Sequence, residues 1–285
     1  MNRWLDGLSF RLPVDVVVPV YRNAELTRQA LEALDRSEPP GRFRLVLIDD
    51  ASPEPGMRPM LEGFVRGCRH PVRFIRHRCN LGFTASVNEG MRQSRWRNVV
   101  LLNADALVSP GWLARLNAHG RRHPRMATLT PFSNNATIAS FPVFCQDNAL
   151  PSGWDRQRLD ALFARELAGC SVVLPTAVGF CMWIRRAALR RVGLFDEVHF
   201  PRGYGEENDF SRRAAKAGWE NRLAADVFVQ HVGGVSFAEQ APALQAAHGQ
   251  TLNRLHPEYD GLVQAHIQQD PAAPLRQRVL RAMQE

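Results

Sequence analysis

The sequence predicts an α/β protein built on a doubly wound, mostly parallel sheet, and three observations predict it. Short apolar runs rich in β-branched residues recur at 14–20 (VDVVVPV), 43–48 (FRLVLI), 72–75 (VRFI) and 99–102 (VVLL). Each suits a strand buried on both faces. An amphipathic stretch follows each run, so strand and helix alternate in the manner of parallel βα units. Polar turn formers close the runs, at the strand ends where open α/β sheets bind ligands.

The run 14–20 has the composition of a central strand, and Pro19-Val20-Tyr21 is expected to end its ladder and turn the chain over the top of the sheet. Leu26, Ala30 and Leu34 then recur at helical spacing. The second strand ends in Asp49-Asp50-Ala51-Ser52-Pro53, which fits either a ligand site or a cap for the helix carrying Met60, Leu61 and Phe64. The third leads into RHRCNLGF at 76–83, and the next helix repeats Phe83, Val87 and Met91 on one face. Asn88 falls on another face near the helix start, where backbone donors and Arg78 would approach an anion. The fourth strand stops in Asn103-Ala104-Asp105. Ser109 reads as an N-cap and Pro110 as the first helical residue, with Trp112, Leu113 and Leu116 opening the apolar face. Asn103 and Asp105, two apart, can aim oxygens at one point, as a hard divalent cation requires when phosphates complete its shell. An ordinary polar loop is the plainer reading of the same residues.

From Met126 the rhythm changes. A strand is expected at 127–130, then a Pro/Asn/Ser-rich loop, PFSNNATIASFP, long enough to be functional. A helix follows at 155–167, one strand at 176–184 with Gly179 inside it, and a short helix at 187–192 ended by Gly193. PRGYGEENDFSRRAAKAGW then combines a Gly-rich approach, the acids Glu206, Glu207 and Asp209, and a helix ending near Gly218. The last strand, 225–229, leads to Gln230-His231-Val232-Gly233-Gly234. Beyond about 237 the chain reads as a peripheral helical tail broken by Pro271 and Pro274. Its end sets Leu275, Val279 and Met283 against Arg276, Arg278 and Arg281, a pattern that either packs on the domain or contacts a membrane surface.

At 285 residues, with 45% hydrophobic and 22% charged residues, the chain has ample core for one large domain. No run approaches the ~20 apolar residues of a bilayer span, and MNRWLDGLSFRLP has no signal-peptide core, so cytoplasmic residence is expected. Five cysteines without C-x-x-C spacing argue against a zinc site or a disulfide framework. The net charge of +8 comes almost wholly from arginine, Lys216 being the only lysine. There is no basic run with interleaved aromatics, so nucleic acid is not an expected partner. Phosphate-bearing small molecules or a lipid surface account for the excess as well.

The order VPVYRN, LIDDAS, RHRCNLGF, LLNADA, GFCMWIRR…VGLFDE, GEENDF and HVGGVSF resembles the inverting family 2 glycosyltransferases of GT-A fold, notably rhamnosyltransferase-like members. The likeness implies a GT-A domain over 1–236, with a nucleotide-binding half at 14–125 and an acceptor half at 126–236, followed by the helical tail 237–285. It implies nucleotide contacts from Pro19, Tyr21, Arg78, Asn80, Gly82, Asn88 and Ala104, with Asp50 accepting from a pyrimidine N3–H and Asp49 structural. An acceptor there suits uracil or thymine, so a UDP- or dTDP-sugar donor is implied. The family's D-x-D metal element falls on Asn103 and Asp105, with Asn103 replacing the first carboxylate. Asp105 is then the main ligand and His231 completes the shell; an imidazole favours Mn2+ over Mg2+. The catalytic base falls on Glu207, with Glu206 and Asp209 in support, although glutamate stands where aspartate is usual. Adjacent acids raise one another's pKa and aid proton uptake. Gly203 and Gly205 would let their loop close over the donor. The acceptor implied is a glycan or lipid-linked glycan of bacterial surface polysaccharide synthesis, with the basic tail held at the inner membrane.

The absence of a G-x-G-T-R-like loop after the first strand argues against sugar-nucleotide synthesis. The absence of G-x-G-x-x-G and G-x-x-x-x-G-K-[ST] argues against dehydrogenases and P-loop enzymes. A nucleotide-sugar-binding pseudoenzyme or assembly subunit stays open, with Asn103 its best support.

Overall fold

The computed structural model describes residues 14–233 and 241–285. In chain order the first half alternates β1 (Val14–Val20), α1 (Ala24–Ser37), β2 (Arg44–Asp49), α2 (Met57–Gly67), β3 (Val72–Arg76), α3 (Phe83–Gln93) and β4 (Asn98–Leu102). Then follow β5 (Ala106–Leu107), α4 (Trp112–Arg122), β6 (Met126–Phe132), α5 (Arg156–Glu166), β7 (Ser171–Leu174), β8 (Cys181–Ile184) and α6 (Arg186–Val192). The acid-rich segment forms α7 (Glu206–Lys216) and leads to β9 (Glu220–Phe228) and β10 (Gln230–His231). The tail is α8 (Ala241–Leu255), α9 (Tyr259–Gln269) and α10 (Ala273–Ala282).

Eight strands form one sheet in the order β3-β2-β1-β4-β8-β6-β9-β7. β3, β2, β1, β4, β6 and β9 run one way, whereas β8 and β7 are antiparallel to their neighbours. The mostly parallel α/β sheet flanked by helices is therefore as expected. β1 lies mid-sheet and is buried on both faces, as its Val-rich run demands. Gly90 explains how closely α3 sits on it: a Cβ there would come 2.3 Å from a Val17 methyl.

Four local expectations need correction. The stretch 176–184 is a strand only from Cys181. Before it, Ala177 and Val178 donate their N–H groups to the Ser211 and Thr130 hydroxyls, so side chains replace a ladder. Pairing of Ser171–Leu174 along β9 was not foreseen, because four residues carry too little periodicity to register. α4 starts at Trp112 behind Gly111 in a left-handed conformation (φ 78°), so Ser109 does not cap it and Pro110 precedes the helix. The tail is no peripheral appendage: Val279 and Ala272 enter the core, with Leu275 and Met283 packed against it. That consumes the apolar stripe of α10, leaving Arg278 and Arg281 exposed. Burial of such side chains stabilises by about 1.5–3 kcal/mol each. Among the described residues no helix is long and apolar enough to cross a membrane.

Candidate active site

A cleft of about 910 Å3 opens above the carboxyl ends of β1 and β4. Its wall at these strand ends includes Pro19, Val20, Tyr21, Arg22, Asp50 and Ala104. The turn after β1 puts Arg22 and Asn23 in left-handed backbone (φ 64° and 56°). That conformation is held from both sides, for Asn23 caps Leu26 N–H and the Glu54 carboxylate accepts from the N–H groups of Asn23 and Ala24.

Asp50 is 3% exposed and already engaged. Its Oδ1 accepts from His77 Nδ1 (2.7 Å) and Leu81 N–H (2.8 Å), and its Oδ2 from Gly82 N–H (2.9 Å). One acceptor direction on Oδ2 is left. The residue therefore anchors the segment 77–82 whatever else it binds. Asp49 accepts from Ser52 N–H and pairs with Arg76, so neither acid caps α2. His77, which sequence reasoning missed, bridges Asp50 to Glu89 at 2.7 and 2.8 Å. Burial pushes its imidazole down, but the two carboxylates outweigh burial and hold it above its ordinary value.

Four expected nucleotide contacts are not brought to the cleft lining. Arg78 and Asn80 are exposed on the anchored segment, with Asn80 reaching back to the Asp50 carbonyl. Gly82 (φ 91°) serves close packing instead, since a Cβ would meet the Pro201 carbonyl oxygen at 2.5 Å. Asn88 is buried and exchanges two hydrogen bonds with the Phe195 backbone, adding a third to Glu197.

Asn103, Asp105 and His231 do converge on the cleft. A two-stranded ribbon explains it. β10 pairs antiparallel with β5, setting His231 opposite Ala106, and Val232 N–H donates to the Asp105 carbonyl. His231 Nε2 lies 3.4 Å from Asp105 Oδ1. Its Nδ1 donates to the Asn135 carbonyl at 2.8 Å, which fixes the tautomer and leaves Nε2 a bare lone pair beside a carboxylate. The ring also stacks on Phe180 (centroids 5.0 Å apart). Asn134 clamps the His231 backbone, accepting its N–H and donating to its carbonyl, both at 2.9 Å. Part of the NNAT loop thus holds His231. Two lone pairs aimed at one point fit a divalent cation, with Asn103 as a neighbouring oxygen. Burial pushes the imidazole down, and Asp105 more than offsets it, holding it above its ordinary value. Among the described residues no group of three or more His, Cys, Asp and Glu is arranged to hold a metal ion, so further ligands would come from amide oxygen, water or phosphate.

Across the same cleft, α7 presents Glu206 and Glu207 from its first turn. Gly179 makes room for Glu207, whose carboxylate lies 3.6 Å from where a Cβ would stand. Glu207 also accepts from Gly205 N–H. Glu206 is 3% exposed and one of its oxygens has no hydrogen-bond partner. Burial, then the Glu207 carboxylate, push Glu206 well above the usual carboxylate range, and burial raises Glu207 too. Asp209 does not line the cleft, because its carboxylate is held by Arg213 (2.7 Å) and His256 (2.8 Å). The loop before α7 is docked, with Thr84 donating to the Phe200 carbonyl and His248 to that of Gly203. The tail supplies a further wall of Gly249, Leu252, Tyr259, Val263 and Ile267.

Known proteins resemble this chain in sequence and in fold. Residues 15–193 match the model of "Glycosyl transferase family 2". An N-acetylglucosaminyl-diphospho-decaprenol L-rhamnosyltransferase of Mycobacterium tuberculosis is 27% identical over 202 residues, covering 63% of this chain and 65% of that protein. This chain thus spans just under two thirds of that relative's length. A mannosyltransferase of Pyrobaculum calidifontis, solved with GDP-Man and Mn2+, superposes with a TM-score of 0.58 at 17% identity, covering 96% of this chain and 76% of that one. GalNAc-T7 with UDP, GalNAc and Mn2+ gives 0.62 at 17% identity, covering 93% and 52%. These structural likenesses speak to the fold, and the family match covers more than half of the sequence. This protein belongs to glycosyl transferase family 2 and has the GT-A fold.

Proposed function

We propose that the protein transfers a sugar from a UDP- or dTDP-sugar to a hydroxyl acceptor with inversion at the anomeric carbon. The carrying observation is that the Asn103/Asp105/His231 group and the Glu206/Glu207 pair line one cleft. The acceptor oxygen attacks the anomeric carbon, and its proton passes to the Glu207 carboxylate. The bond to the donor phosphate breaks, and its electron pair leaves on the nucleoside diphosphate. A general base typically supplies ~10²–10⁴-fold in such a step. Burial and then the Glu207 carboxylate push Glu206 well above the ordinary carboxylate range, and burial raises Glu207 as well, so the pair has a proton affinity suited to uptake from the acceptor. Asp105 and His231, with Asn103, would hold Mn2+ or Mg2+, and the mixed N/O set favours Mn2+. When bound, the ion neutralises the departing diphosphate as a Lewis acid. The remaining acceptor direction on Asp50 suits the N3–H of uracil or thymine. The Mycobacterium relative's name specifies a lipid-linked sugar, and a lipid-linked glycan in bacterial surface glycan synthesis is the acceptor class we favour. Exposed arginines of the tail, such as Arg281, would serve at a membrane surface.

The test is release of nucleoside diphosphate from a panel of UDP- and dTDP-sugars. Glu207→Gln is expected to cut turnover by about 10²–10⁴-fold while leaving nucleotide binding within twofold. Asn103 in place of a carboxylate favours a second reading, a nucleotide-sugar binder without turnover. That reading predicts binding, no release, and no effect of Glu207→Gln.

A further inference from the structure

Asp209 belongs to the GEENDF motif yet faces away from the cleft, and what it faces is the tail. His256, at the end of α8, donates from Nε2 to Asp209 Oδ1 at 2.8 Å. Its Nδ1 is 2.9 Å from the Lys216 ammonium, which can only donate, so the ring's donor is committed to Asp209. Two further tail residues reach the same region. His248, buried on α8, donates to the Gly203 carbonyl at 2.7 Å. Tyr259, opening α9, is hydrogen-bonded through its hydroxyl to Thr176, whose own hydroxyl reaches Asn208 Oδ1 at 2.8 Å. Tyr259 and Glu207 line the cleft together. Three polar side chains on two tail helices therefore converge on Gly203, Asn208 and Asp209, which bracket the acid pair. Glu258 adds ion pairs to Arg212 and Lys216 at the far end of α7. All three residues lie beyond residue 193, where the family match ends.

We propose that His248, His256 and Tyr259 are positioning residues that latch the acid loop and the first turn of α7, making the tail helices α8 and α9 part of the catalytic unit. None of the three needs to touch the donor. Gly203 and Gly205 flank the acids with left-handed backbone (φ 94° and 136°), and Gly205 lacks a side-chain cap for α7. The approach to Glu206 and Glu207 is thus intrinsically loose, and fixed hydrogen bonds from outside are what hold it. This inference deepens the transferase reading and rests on it for the role of Glu207.

The experiment uses the full chain with Tyr259→Phe, His248→Ala, His256→Ala and His256→Gln. The first readout is amide hydrogen exchange over 203–210, which needs no substrate. Faster exchange there in Tyr259→Phe and His248→Ala, with the β1–β4 amides unchanged, is the expected result. Unchanged exchange in both variants overturns the latch. The second is nucleoside diphosphate release from UDP- and dTDP-sugars. Tyr259→Phe should lower kcat about tenfold with KM for the donor within twofold. His256→Gln, which keeps a donor for Asp209, should recover part of the loss seen in His256→Ala. A change in donor KM with kcat intact would reassign Tyr259 to donor binding and overturn its positioning role. If wild-type protein releases no nucleotide, the transferase reading fails and the exchange result alone decides the latch. Should His256→Ala fail to fold, Tyr259→Phe and His248→Ala carry the test.

Discussion

The two sides of the cleft are built on different principles. On the β1–β4 side, the strands are sequential and joined by helices, and each turn at the cleft follows directly from the strand before it. On the acid side, little is local. His231 is brought to Asp105 by a two-residue ribbon, Asn134 grips His231 from 97 positions away, and the acid loop is held by a tail 45 residues further on. Contacts of the first kind survive many substitutions because the sheet over-determines them. Those of the second kind each hang on one or two hydrogen bonds, so single side chains there should control function without controlling the fold.

Breaking the clamp on His231 should therefore show the largest effect. Asn134→Ala removes both hydrogen bonds to the His231 backbone, and outer contacts of this sort are worth about 10–100-fold in metal affinity. The check is the Mn2+ concentration that supports half-maximal nucleotide binding, with the melting temperature little changed. On the β1–β4 side the order reverses. Gly82→Ala forces a Cβ against the Pro201 carbonyl at a left-handed φ, and overpacking of this kind costs about 1–3 kcal/mol. Stability in urea should fall, and activity in the surviving folded fraction should be nearly normal.

The smallest effect is a pH dependence of stability. Glu206 ionises well above the ordinary carboxylate value of 4.5 because it is buried beside Glu207. A raised value means that its contribution is fully present below the ordinary range and is lost as pH rises through the folded value. Glu206→Gln removes that loss. Its melting temperature should exceed wild type at neutral pH, and the gap should close as pH falls below the ordinary range. A gap independent of pH would contradict a raised Glu206.

The same contrast explains what was legible in the sequence. Val14–Val20 was read to its residue bounds because one hydrophobic run specifies one buried strand. The pairing of Asp105 with His231 was inferred only through family likeness, since nothing at positions 106–107 or 230–231 announces a two-residue ribbon. For Asp50 the sequence shows the charge and hides the backbone N–H groups of Leu81 and Gly82 that engage it. Asn88 and Gly82 are ligand residues by family likeness, and here they fasten the 195–201 segment over α3. The tail was read as peripheral because its helices have weak apolar stripes. Their importance lies in His248, His256 and Tyr259, polar residues whose partners are 45, 47 and 83 positions away, separations that no periodicity encodes.

The most direct test of the account is calorimetric titration with UDP and dTDP, with and without Mn2+, on wild type and Asp105→Ala. The predicted result is binding of at least one nucleotide that strengthens with Mn2+ and loses that gain in the variant. Binding indifferent to both metal and substitution would contradict the Asp105/His231 assignment, and no binding of either nucleotide would contradict the transferase reading itself.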